Sequence, residues 1–101
     1  MPTLQHALPA TSAHPPTDAE LAARAASGDA AAFETIMRQH NRLLFRTARS
    51  ILKSDAEAED ALQDAYIQAY RALPDFRGES SLATWLTRIV MNAALMRRCP
   101  I

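Results

Sequence analysis

Cysteine is nearly missing from this chain: Cys99, beside the C-terminal end, is the single one. One thiol rules out an internal disulfide framework and suits a reducing compartment. Glycine is almost as scarce, with two among 101 residues, so there is no Gly-rich loop to cradle a phosphate. Net charge is lacking too. Eleven basic and eleven acidic residues cancel, which argues against a simple polyanion binder. No run approaches the ~20 apolar residues of a membrane span. Met1 to Pro16 has neither the cationic start nor the long apolar run of a signal peptide. A soluble cytoplasmic protein with no membrane insertion is the expectation. Neither CxxC nor HxxxH nor HExxH occurs, and no histidine lies near Ser80 and Ser81 to activate a hydroxyl. No metal, no cofactor and no catalytic residue is expected, so the chain is not read as an enzyme.

What is present favours helix. Apolar residues make up 49% of the chain; alanine is abundant and β-branched residues are few. The fold class is all-α, a small bundle of about four helices. The expected order is a short N-terminal helix, two long helices in a hairpin, a loop and a C-terminal helix. Residues 1–16 hold four of the six prolines and no Asp, Glu, Lys or Arg, and read as a disordered tail. His6 and His14 in that tail are isolated and not expected to bind metal. The ordered part is expected to run from 17 to 101.

Start and stop signals divide it. Thr17-x-x-Glu20 is a capping box for a helix from Asp18 to Ser27, with Gly28 as its stop. Asp29 caps a long helix of about Ala30 to Lys53. Its expected inner face is Phe33, Ile36, Met37, His40, Leu43, Leu44, Thr47, Ile51 and Leu52. Ser54-x-x-Glu57 is a second capping box and opens a third helix, about Asp55 to Leu73, buried through Ala58, Ala61, Leu62, Ala65, Tyr66, Ala69 and Leu73. Pro74 stops it and should push Leu73 out of the helical region. The last helix, about Ser81 to Arg98, has Ser80 or Ser81 as its cap. Leu82, Trp85, Leu86, Ile89, Ala93 and Met96 form its apolar stripe.

Charge is unevenly spread over these helices. Arg38, Arg42, Arg46, Arg49 and Lys53 step along the second helix by four, four, three and four residues. They read either as a solvated face or as a surface for phosphates or an acidic partner. The third helix begins with Asp55, Glu57, Glu59, Asp60 and Asp64. The first of these suit the helix dipole; Asp60 and Asp64 lie too far in for that, and with Gln63 make an exposed patch suited to a basic partner. Thr84, Arg88, Asn92 and Arg98 lie about a turn apart on the last helix, on a side that could read a nucleic acid or could be an ordinary polar surface.

Three segments in order, DAAAFETIMRQHNRLLFRTARSIL (29–52), SDAEAEDALQDAYIQAYRAL (54–73) and FRGESSLATWLTRIVMNAALMRR (76–98), resemble the sigma-2 domain of the extracytoplasmic-function (ECF) sigma factors of bacterial RNA polymerase. The resemblance spans residues 18–98. It implies that Asp60, Gln63 and Asp64, at D-x-x-Q-[DE] positions, dock on a basic coiled coil of the polymerase β′ subunit, with Tyr70 at the edge of that contact. It implies that the loop Arg77, Gly78, Glu79, Ser80 and Ser81 captures a flipped-out base of the non-template strand of the −10 promoter element. Thr84, Arg88, Asn92, Arg97 and Arg98 would add base or phosphate contacts, and Trp85 would pack in the core rather than stack on bases. An anti-sigma factor is the implied regulatory partner. A helical interaction module held by an anti-sigma factor, with no direct DNA role, is the alternative reading. Met96 departs from the family, whose residue one turn after Asn92 is often polar, so a second base contact there is not expected. Relatives continue into a helix-turn-helix that reads the −35 element; with Ile101 as the last residue, that domain is expected to be absent.

Overall fold

The structure, a computed structural model, describes residues 15–98. The expectations for the tail up to residue 14, His6 and His14 included, and for Cys99 lie outside these residues. Four α-helices follow in order: α1 (Asp18–Ala26), α2 (Ala30–Ile51), α3 (Asp55–Ala72) and α4 (Leu82–Arg98), with a 3-10 turn at Leu73–Asp75. Among the described residues there is no strand.

The local chemistry explains each boundary. At α1 the capping box is complete: Glu20 N–H donates to Thr17 Oγ1 at 3.1 Å, and Thr17 N–H to Glu20 Oε1 at 2.9 Å. The other end closes as a Schellman motif. Gly28 takes φ +104°, its N–H donates to Ala25 O, and Asp29 N–H reaches back to Arg24 O at 3.0 Å. Asp29 then begins α2, where its Oδ1 accepts from Ala31 and Ala32 N–H at 3.0 and 3.2 Å. One residue therefore ends one helix and starts the next. Helix α2 stops at Ile51, two residues short of the expected Lys53. There Leu52 turns extended, and Arg49 ties the connection: Nη1 donates to Leu52 O at 2.9 Å and Nε to Asp55 Oδ1 at 3.0 Å. Ser54 Oγ accepts from Glu57 N–H at 3.1 Å to open α3.

Leu73 departs from expectation. It stays in the right-handed helical region, with φ −52° and ψ −39°, and leads the 3-10 turn that contains Pro74. A tight turn needs no N–H from its second residue, so proline is tolerated there. The buried Leu73 side chain holds the conformation.

Helices α2, α3 and α4 pack against one another, and α1 lies across α2 and the 3-10 turn. The interface rows are largely alanine: Ala58, Ala61, Ala65 and Ala69 on α3, Ala32 and Ala48 on α2, Ala93 and Ala94 on α4. Small side chains let helix axes approach closely. The bulk is supplied by Ile36, Leu44, Leu82 and Val90, the largest fully buried side chains. The α3 face is the expected one, with Tyr66 only half-buried. On α4, Met96 is not in the core: it is 68% exposed, and Val90 and Ala94 fill the interface instead. On α2, Leu43 is likewise exposed. His40 is half-buried with Nδ1 donating to Ile36 O at 2.8 Å.

Candidate nucleic-acid and polymerase interface

The start of α4 is built from two places in the chain. Ser81 is its cap: Thr84 N–H donates to Ser81 Oγ at 3.1 Å, and the Ser81 hydroxyl donates to Thr84 Oγ1 at the same distance. The Leu82 N–H is satisfied from 64 residues away, by Asp18 Oδ2 at 2.9 Å. A carboxylate here suits the positive end of the helix dipole and locks α1 to α4. Sequence spacing gave no sign of it, because Asp18 already fitted the first turn of its own helix.

The loop before α4 is thereby held at both ends. Phe76 packs on Trp85, ring centroids 5.1 Å apart and tilted by 60°, and Trp85 is half-buried against the core. This is the packing role expected of the tryptophan. Gly78 takes φ +77°, with nothing within 4 Å of where a side-chain carbon would stand, and with Phe76 and Arg77 it borders a small pocket against α1. Arg77, Glu79 and Ser81 are exposed, and Ser80 is half-buried with its hydroxyl donating to Ser81 O at 3.3 Å. Arg88 and Asn92 are exposed further along α4.

The acidic patch on α3 divides. Asp60 and Asp64 face α4, where Arg97 bridges them: Nη2 lies 3.3 Å from Asp64 Oδ2, and Nη1 3.9 Å from Asp60 Oδ2. Asp64, Gln68, Asn92, Met96 and Arg97 line an open groove of about 500 Å³ between α3 and α4. Gln63 instead shares a groove of about 390 Å³ with Met37, Arg38 and Asn41 on the α2 side. Tyr70 is half exposed and rests edge-on against Phe33, centroids 5.1 Å apart. Asp64 of the acidic patch and Asn92 of the polar face of α4, separate in sequence, therefore share one groove. Gln68 is the lining residue that sequence reasoning missed; its position one turn after Asp64 was the available signal.

The basic ridge of α2 is interrupted. Arg38 pairs with Glu34 at 2.9 Å, and Arg49 with Asp55 at 3.0 Å. Arg42, Arg46 and Lys53 are exposed. At the far end of the bundle, Arg49, Ser50, Lys53, Glu57, Arg97 and Arg98 border a wide groove of about 890 Å³. Among the described residues no three His, Cys, Asp or Glu side chains gather to hold a metal ion. No described helix is long and apolar enough to cross a membrane.

A helical hairpin with acids on its second arm, followed by a polar loop and a helix bearing Arg, Asn and a packed Trp, defines a class. The chain belongs to the sigma-70 region 2 family, whose model matches residues 36–98. Within it, this is a sigma-2 domain of the ECF type. It is 44% identical over 84 residues to the ECF RNA polymerase sigma factor SigM of Mycobacterium tuberculosis, covering 83% of this chain and 43% of that protein. It is 40% identical over 78 residues to the RNA polymerase sigma factor NccH of Alcaligenes xylosoxydans, covering 77% and 42%. It is 39% identical over 79 residues to the ECF RNA polymerase sigma-E factor of Escherichia coli, covering 77% and 40%. The chain thus spans about two-fifths of the length of these relatives.

Proposed function

We propose that this chain acts in transcription initiation as the sigma-factor domain that joins core RNA polymerase to promoter DNA. Its work is binding rather than catalysis, and it takes place in the cytoplasm, where polymerase and promoter meet. Asp60 and Asp64 dock on a basic β′ coiled coil, with Gln63 and Tyr70 at the α2-facing edge of that contact. Carboxylates one turn apart can accept several charge-assisted hydrogen bonds from arginines. Arg77, Gly78, Glu79, Ser80 and Ser81 receive an unpaired non-template base of the −10 element. An extruded base offers its whole edge to hydrogen bonds, so a small polar loop can read it. Thr84, Arg88 and Asn92 extend that surface, and Arg97 and Arg98 meet phosphates. An anti-sigma factor is the regulatory partner; Ile67, Met91 and Leu95, which are exposed, are apolar surface it would cover.

The observation that carries this reading is the anchoring of the loop at both ends. The Ser81 cap, the Asp18 to Leu82 bond and the Phe76 to Trp85 packing fix the two ends of a polar, exposed segment at the start of a core helix. Reading a base needs such fixed donors and acceptors. Fluorescence titration with single-stranded −10 oligonucleotides tests it. We expect a preference among bases that Arg77→Ala, Ser80→Ala and Asn92→Ala abolish. Affinity that falls equally for every base would make these residues phosphate contacts only and overturn the base-reading assignment.

A further inference from the structure

Arg97 stands where the two proposed surfaces meet. It comes from the last turn of α4, yet it points at α3, with its two terminal nitrogens near one oxygen each of Asp60 and Asp64. One guanidinium thus lies within ion-pair distance of two carboxylates a turn apart, a span that the broad planar head of arginine suits better than the point charge of lysine. The three side chains stay open to solvent: 37% for Arg97, 65% for Asp60 and 49% for Asp64. An ion pair this exposed is weak and exchanges readily with a competing ion. Arg97 also borders, with Arg98, Arg49, Lys53 and Glu57, the wide groove at the end of the bundle, where bases outnumber the one acid and a released Arg97 would add to positive charge.

We propose that Arg97 is an exchangeable internal ligand of the docking acids. In the free domain its guanidinium occupies Asp60 and Asp64. A partner helix that presents arginine displaces it, and the freed side chain turns to the basic groove and meets DNA phosphate. Docking and phosphate contact are then linked, and the linkage is reciprocal: what strengthens one strengthens the other by the same factor. The inference rests on the reading of Asp60 and Asp64 as docking residues.

Calorimetric titration of the chain into core RNA polymerase tests it. Arg97→Ala should bind core about two- to fivefold more tightly, the scale of an exposed ion pair. Arg97→Lys, which keeps the charge and loses the planar head, should fall between the two. Arg24→Ala removes the same charge on α1 and should leave core affinity unchanged. The gain from Arg97→Ala should vanish when Asp60→Ala and Asp64→Ala are present. Normal dependence on the two acids with no gain from Arg97→Ala overturns the exchange alone. Core binding that is indifferent to both acids overturns the docking reading and the exchange with it.

Discussion

Tyr66 shows how a single side chain at an interface can be polar and still stabilise. Its ring faces Phe33 edge-on, centroids 6.5 Å apart, and its hydroxyl donates to Asn41 Oδ1 at 2.9 Å. Burial raises its pKa above the ordinary 10.0, because the phenolate would lose its hydration. The folded state therefore holds the proton more tightly than the unfolded chain. The stabilisation is complete below about pH 10 and is lost as pH climbs through the folded value. Urea unfolding from pH 8 to 11 should show falling stability that Tyr66→Phe flattens. An unchanged slope in the variant would assign the decline to other groups. Gly78 makes a different point at this scale. A side chain there would meet nothing within 4 Å, so glycine is needed for its left-handed backbone and not for space.

At the scale of the element, the caps were the most legible feature. Thr17, Asp29 and Gly28 each do what the sequence pattern indicates, since a cap is a contact over two to five residues; Ser54 caps α3 by accepting from Glu57 N–H, without the reciprocal bond of a full capping box. The α3 face was legible for a related reason: alanine spacing of three and four leaves one buried row. Near the end of α4 the pattern failed. Met96 and Val90 are both apolar, and spacing alone could not say which one the neighbouring helices cover. Leu73 failed because the rule for residues before proline is only a local steric preference, and here burial of the Leu73 side chain at the head of a 3-10 turn outweighs it. The bond from Leu82 N–H to Asp18 was illegible altogether, because it joins different helices. It also carries an expectation. Asp18→Ala should lower stability by about 1 kcal/mol by leaving a part-buried N–H at a helix start without its acceptor. Thermal unfolding reads this, and Asp18→Asn should recover part of the loss. Equal stability of Asp18→Ala and the parent would remove the clamp from the account.

At the scale of the whole molecule, the bundle does one thing that its parts could not. It sets the acids of α3 beside the polar face of α4, so that Asp64, Asn92 and Arg97 share one groove. The resemblance in sequence pointed to two jobs on two segments. The fold makes them neighbours, with Arg97 reaching from the α4 side into the acidic side. The overall balance of charge fits this arrangement. A chain of zero formal net charge can still present local patches of either sign, here Asp60 and Asp64 on α3 and the exposed Arg42, Arg46 and Lys53 along and after α2.

The claim at the centre is that Asp60 and Asp64 hold the chain on core RNA polymerase. The direct measurement is the affinity of the Asp60→Ala, Asp64→Ala double variant for core polymerase against that of the parent chain, at matched ionic strength, with helix content checked by circular dichroism. Loss of about tenfold or more, the cost of removing charged partners from an interface, is the predicted result. Equal affinity in a fully helical double variant would contradict it.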